Sequence, residues 1–232
     1  MKRFWHDSAV ENVEDGWQVT LDSRPVKTRA GAPQVAPTKA LADLLRGEWA
    51  DAPGEFSADA FPLRDLADRA IDSIAADPAP VIDRLLSFAD GDTLCYRVEP
   101  DEAVARRQAE VWEPIVSRIE SDMGIALTRT HGIVHRPQPE ASKSVLRKRL
   151  ASENAFTLAG LDAAASLAAS LCVALAGLDE HADPASLWSA ASLEEDWQAE
   201  QWGRDAEAQA RRDSHELEFT RALAFARAAR SS

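Results

Sequence analysis

Trp17-Gln18-Val19-Thr20-Leu21-Asp22-Ser23-Arg24-Pro25-Val26-Lys27-Thr28 alternates apolar with polar side chains on either side of a turn-forming Asp22-Ser23-Arg24. Successive side chains of an extended chain point to opposite faces, so this spacing predicts short antiparallel strands. Upstream, Arg3-Phe4-Trp5 fits the same period and Glu14-Asp15-Gly16 supplies another turn. Downstream, an extended piece at Gln34-Val35 ends at Pro37-Thr38, where Thr38 can cap a helix running from Lys39 to about Asp51. From there the apolar spacing becomes helical. It predicts helices over 63–76, 80–88, 102–123, 140–151, 155–178, 184–190 and 193–229. In the 102–123 helix, Val104, Ala105, Gln108, Val111, Trp112, Ile115, Val116 and Ile119 form one stripe. Short pieces at 125–128 and 132–134 read as strands returning to the N-terminal sheet. The expected fold class is α+β: a small N-terminal β-rich domain over residues 1–60, followed by a larger helical domain over 61–232.

Composition narrows the function. The chain has 232 residues, 45% hydrophobic and 28% charged, with 26 basic against 39 acidic side chains and a net charge of -13. Such a chain buries enough surface to fold without disulfide or metal staples. Nucleic-acid binding requires phosphates to be neutralised, and no concentrated basic face offsets the acidic excess. The longest uncharged stretch, Ala163 to Leu178, has 16 residues, short of the roughly 20 needed to span a bilayer, and reads as a buried helix. Cys95 and Cys172 stand 77 residues apart without disulfide or zinc-knuckle spacing, and both read as small core residues. Acids at Asp7, Glu11, Glu14 and Asp15 behind Lys2-Arg3 argue against a secretory signal or a transit peptide.

Catalytic motifs are missing. The sequence holds no Gly-rich phosphate loop, no dinucleotide fingerprint and no G-x-S-x-G elbow. His131 and His135 would share a helix face, but Gly132, Ile133 and Val134 between them favour an extended chain, where residues four apart lie roughly 13 Å from each other. Neither a metal nor a cofactor is expected.

The segment Ser192-Leu193-Glu194-Glu195-Asp196-Trp197-Gln198-Ala199-Glu200-Gln201-Trp202-Gly203 stands apart. Ser192 with Glu195 has the spacing of a capping box, and three acids in a first turn suit the positive end of a helix dipole. Capping does not account for the tryptophans. At 100° per residue, Trp197 and Trp202 lie about 140° apart around a helix, so either a second element covers the helix or one indole is near the surface. Gly203 costs about 1 kcal/mol relative to Ala inside a helix, which a close backbone approach would justify. Beyond it, charged residues through Glu218 predict a solvated middle to the 193–229 helix.

Taken together, several stretches resemble the assembly chaperones of the F(1) sector of ATP synthase, the Atp-twelve type. They are Lys2-Arg3-Phe4-Trp5, Leu21-Asp22-Ser23-Arg24-Pro25-Val26-Lys27-Thr28, Pro62-Leu63, Asp92-Thr93-Leu94-Cys95-Tyr96-Arg97, Glu195-Asp196-Trp197-Gln198 and Glu200-Gln201-Trp202-Gly203. Trp5 stands where a tyrosine or another aromatic is usual, and Ser23 where glycine is common. The resemblance implies an N-terminal β domain and a C-terminal helical domain. It implies a non-enzymatic holding activity, in which the chaperone binds the free α subunit until the β subunit replaces it. It places partner binding on Glu195, Asp196, Trp197, Gln198, Glu200, Gln201 and Trp202, with Asp92 and Arg97 as further candidates. It further implies a monomer when free, a bacterial cytoplasmic location with the mitochondrial matrix as its eukaryotic counterpart, and neither nucleic-acid binding nor membrane insertion. The alternatives are an enzyme using the acids near Glu195 with His131 or His135 as general acid and base, or an adaptor for another protein.

Overall fold

Two tight turns shape the N-terminal sheet of the computed structural model, which describes residues 2–57, 60–132, 134–203 and 205–230. β1 (Ser8–Val13) and β2 (Gly16–Leu21) pair antiparallel, with Ser8 opposite Leu21 and Val13 opposite Gly16. The second turn leads into β3 (Arg24–Pro25), with both Asp22 and Ser23 at positive φ, 47° and 63°. That is a type I′ hairpin built without the usual glycine, so it carries backbone strain. The Asp22 carboxylate offsets the strain by accepting the backbone N–H groups of Asp7 at 2.9 Å and His6 at 3.0 Å. Those bonds, Asp7's first, hold its pKa below the ordinary value. β4 (Val35–Ala36) also pairs with β2, and comes so close at Gly16 that a Cβ there would collide with the Ala36 carbonyl.

Thr38 caps α1 (Lys39–Ala50) as predicted, its Oγ1 accepting the Leu41 N–H at 3.1 Å. The helix buries Leu41, Ala42, Leu45 and Trp49, an apolar stripe at helical spacing. α2 (Pro62–Arg69) opens on a proline, and no side chain of its own caps it. The Glu48 carboxylate does so instead, accepting the N–H groups of Leu63 and Arg64 at 2.8 and 2.9 Å. The helix runs on through a π-helical turn at Ala70–Ile74. Trp5 is 2% exposed. Its Nε1 donates to the Trp49 carbonyl at 3.2 Å, and its ring lies 5.0 and 5.7 Å from those of Trp49 and Phe56. These elements belong to one compact unit, Met1–Ala79 with Glu153–Gly160 and Ala224–Ser232.

A second unit comprises Pro80–Ser152 and Leu161–Leu223. Along the chain follow α3 (Ala79–Asp90), β5 (Tyr96–Arg97), α4 (Ala105–Met123), β6 (Thr130–His131) and α5 (Glu140–Ala151). After them come α6 (Ala155–Ala168), α7 (Leu171–Ala176), α8 (Pro184–Ala191), α9 (Leu193–Trp202) and α10 (Ala206–Ala228). Together these confirm the α+β class. Four local expectations are overturned. Arg3-Phe4-Trp5 forms no strand, and the first hairpin partner of β2 is Ser8–Val13. The strand after α4 is Thr130–His131, and it pairs parallel with β5 in a separate two-stranded sheet instead of joining the N-terminal one; Ile133 of the expected 132–134 strand lies outside the described residues. The 155–178 helix is two helices, broken where Ala169 takes φ 47° and Ser170 caps α7 by accepting the Val173 N–H at 3.0 Å. The 193–229 helix is likewise two. Val104, which precedes α4, and Gln108, Trp112, Val116 and Ile119 on it are buried as the stripe predicts, whereas Val111 is exposed. Among the described residues no helix is long and apolar enough to cross a membrane.

Candidate partner-binding site

α9 is held by its first turns and released at its end. Leu193 is buried, and Ser192 is buried too, but its side chain makes no capping bond, so the expected capping box with Glu195 does not form. Instead, Gln108 of α4 donates its Nε2 to the Glu194 carboxylate while its Oε1 accepts the Val98 N–H at 3.1 Å. Loss of water at that contact pushes the Glu194 pKa up, against the opposing hydrogen bond from Gln108. Trp112, completely buried, donates its Nε1 to the Ala190 carbonyl at 2.7 Å and fixes the end of α8. At the far end Gly203 takes φ 89° and ψ 165°, a region essentially closed to other residues. No described residue beyond its chain neighbours lies within 4 Å of where its Cβ would be. The glycine is there for its backbone angles, not for the close approach expected from sequence. Asp205 then caps α10, accepting the Ala208 N–H at 2.9 Å.

Between α9, the start of α10 and the α6–α7 break runs a groove of about 810 Å³, whose walls include Thr93, Ala169, Glu195, Trp202, Arg212 and His215. The acidic and aromatic residues of α9 divide into two sets. Asp196 meets Arg212 at 2.7 Å, and Glu200 takes the Arg107 guanidinium at 2.9 and 2.7 Å. Trp197 is half-buried, its ring meeting that of Trp202 edge to face with centroids 6.4 Å apart. These three are tied to the fold. Glu195, Gln198 and Gln201 are exposed and make no ion pair or side-chain hydrogen bond among the described residues. Trp202 is 77% exposed, so the indole expected near the surface is this one.

The other singled-out residues lie apart from that face. Asp92 is 1% exposed and accepts from Leu94 N at 3.0 Å, Ser170 Oγ at 2.7 Å and Cys172 N at 2.9 Å. Burial pushes its pKa up, and those donors pull the other way. Arg97, with its side chain 10% exposed, lies 2.7 Å from Glu113 and donates its Nε to the Leu94 carbonyl. Neither lines the groove. Cys95 and Cys172 are both buried as expected, but the fold brings them together despite their separation in sequence: their sulfurs and an Asp92 oxygen lie within 4.8 Å of one another. The three could geometrically hold a metal. However, Asp92 is already engaged, and the Cys172 thiol is pushed well up by its contact with Cys95 and by burial, so it is a poor thiolate donor. His131 and His135 do not reach the groove; their Nδ1 atoms lie 2.8 Å from Val98 O and from the Tyr96 hydroxyl respectively.

A family model described as ATP12 chaperone protein matches residues 2–120. The crystal structure of Atp12 from Paracoccus denitrificans is 32% identical, with 99% of this chain and 98% of that one covered at a TM-score of 0.90, and a mutant form of the same protein matches equally. The chain therefore belongs to the ATP12 chaperone protein family. The Atu1473 protein of Agrobacterium tumefaciens, a chaperone candidate, is 36% identical over 97% of this chain and 84% of its own, again at a TM-score of 0.90.

Membership in the ATP12 chaperone protein family directs attention to surfaces rather than to reactive centres, and one wall of the groove was missed in the sequence. Ala169, Arg212 and His215 line it. Thr93 joins them by donating both its N–H, at 3.1 Å, and its hydroxyl, at 3.0 Å, to the Ala169 carbonyl. The available clue was Ser170, a good N-cap inside an otherwise apolar run. It marks the break that shapes this wall.

Proposed function

We propose that this chain is an assembly chaperone of ATP synthase that binds the free α subunit of the F(1) sector, through the exposed face of α9 and the groove beside it. An unassembled α subunit exposes apolar surface that it will later bury against β, and such a patch invites aggregation until it is covered. The observation that carries the reading is Trp202, 77% exposed, near Glu195, which has no ion-pair partner among the described residues. An indole left in water has no use to the fold and much to an interface. Covering it removes roughly 200 Å², up to ~5 kcal/mol at 25 cal/mol per Å². Association costs an estimated 4–15 kcal/mol, so Trp202 needs neighbours. Glu195, Gln198 and Gln201 are the polar contacts in this reading. Asp196, Trp197 and Glu200 hold the face in shape, and Asp92 and Arg97 act further back, positioning the 92–97 segment. Carboxylates at the rim set on-rate and selectivity, which keeps the complex reversible for handover to β. The chain works by contact, as a monomer, in the cytoplasm.

The test is co-expression with the α subunit and size-exclusion of the soluble fraction. The wild type is expected to keep the α subunit soluble at about one-to-one stoichiometry. Glu195→Lys should abolish capture while leaving the melting temperature unchanged, since an exposed unpaired side chain contributes within about 0.5 kcal/mol to stability. Loss of fold in step with loss of capture would return Glu195 to a structural role.

A further inference from the structure

The N-terminal unit carries an opening of its own. A cavity of about 410 Å³ is floored by Trp49, Phe56 and Phe61, with Phe4, 70% exposed, standing at its edge. Leu21, Val26, Lys27, Arg29 and Arg64 complete the lining, the last three forming a cationic rim on a chain of net charge -13. Arg29 pairs with Asp65 at 2.6 Å, and Arg64 reaches Asp68 only at 3.6 Å. Lys27 is exposed and has no ion-pair partner among the described residues. Two donors in the wall are also unanswered. Trp49 is 7% exposed, and its Nε1 is buried with no acceptor among the described residues; Arg64 Nε is in the same state. The Arg64 guanidinium lies over the Trp49 ring, 5.6 Å from its centroid.

Buried donors without acceptors are rare in folded proteins, and here they coincide with an apolar cavity and a lysine that has no ion-pair partner among the described residues. An aromatic floor calls for a large apolar side chain. Unanswered donors and a cationic rim call for an acceptor with negative charge. We propose that this cavity is a docking site for a segment of a partner protein that presents one aromatic or branched aliphatic side chain flanked by carboxylates. The anchor enters over Trp49 and Phe61, Arg64 swings off the indole toward the flanking carboxylate, and the Trp49 N–H gains an acceptor. Phe4, at the edge, packs against the residues on either side of the anchor. None of its residues belongs to α9.

The experiment follows the indole N–H resonances of the ¹⁵N-labelled full chain, assigned by triple-resonance spectra. The probe is the peptide acetyl-Asp-Phe-Glu-Asp-amide. The Trp49 indole signal is expected to move downfield and saturate with a dissociation constant on the order of 1 mM or tighter, the range for a single anchored side chain. Replacing Phe by Ala in the probe, or its acids by Lys, should weaken binding at least tenfold. Arg64→Gln should weaken it about tenfold, and Lys27→Gln a few-fold with a shallower salt dependence. A Trp49 signal that does not move, or that responds equally to the alanine or lysine probes, overturns the proposal. The chain's own α9 is acidic and aromatic, so a second copy is the rival occupant. Concentration-dependent movement of the Trp49 signal without probe, abolished by Trp202→Ala, would assign the cavity to self-association and overturn the proposal as well.

Discussion

Trp5 and Trp202 show how one residue type serves opposite ends in the two halves of this chain. Trp5 is 2% exposed, donates its N–H to Trp49 O and has aromatic rings around it; Trp202 is 77% exposed and touches one other ring, that of Trp197. The first is fully used by the fold, and the second is left over from it. A side chain with its apolar area and polar atom both satisfied internally contributes to stability, whereas one with neither satisfied is available to a partner. Truncation should separate the two roles by the largest margin anywhere in the molecule. Trp5→Ala is expected to cost about 3–5 kcal/mol, a large part of a typical domain's stability, and to show as a collapse of the urea midpoint. Trp202→Ala should move that midpoint by no more than about 0.5 kcal/mol while reducing capture of the α subunit. Equal effects on stability would break the contrast.

The same contrast explains what could be read from the sequence. β2, the turn after it, the Thr38 cap and the α4 stripe follow from local rules of period and capping and sit where the rules put them, whereas β1 is Ser8–Val13 and not the expected Arg3-Phe4-Trp5. The breaks inside predicted long helices escaped. The reason at Ala169 is long-range: Asp92 and Thr93, some 80 residues earlier in the chain, supply the partners that make a left-handed alanine and a Ser170 cap worthwhile. Gly203 was visible as a cost but assigned the wrong cause. On α9, periodicity alone could place a tryptophan near water. Which acids are free and which are bound to Arg107 and Arg212 depends on contacts with α4 and α10 that no local pattern encodes.

The two glycines at functional turns sharpen the comparison on a smaller scale. Gly16 combines positive φ with a collision between any Cβ and the Ala36 carbonyl, whereas Gly203 has positive φ and open space around it. Gly16→Ala must distort the β2–β4 pairing as well as the turn and is expected to cost about 2–3 kcal/mol. Gly203→Ala pays conformational strain alone, about 1–2 kcal/mol, and can relax outward. Its larger effect should be on capture, because the redirected chain carries Asp205 and the start of α10 away from the groove. Paired urea titrations and co-expression assays separate these outcomes. A Gly203→Ala variant with intact capture would mean that the turn does not shape the binding face.

The smallest effect distinguishes tethered from loosely held carboxylates by pH. Glu113 lies 2.6 Å from Arg129 and 2.7 Å from Arg97, and its pKa falls from 4.5 to about 2, chiefly through the hydrogen bond from Arg129. A carboxylate whose pKa is lower folded than unfolded stabilises the protein above the unfolded value. That contribution disappears as pH falls from about 4.5 toward 2. Glu194 has the opposite sign: burial raises its pKa, so folding prefers its protonated form and its contribution is lost as pH rises. The Glu113 side chain is 42% exposed, and solvent screening limits its share to under about 1 kcal/mol. Urea midpoints at pH 6, 4.5 and 3 should therefore fall less steeply for Glu113→Gln than for the wild type, while Glu194→Gln should steepen the fall slightly. Parallel slopes in all three proteins would show that neither carboxylate senses its neighbours strongly enough to matter to folding, leaving the ion pairs of this unit as surface ornament on a core held by Trp112 and its apolar neighbours.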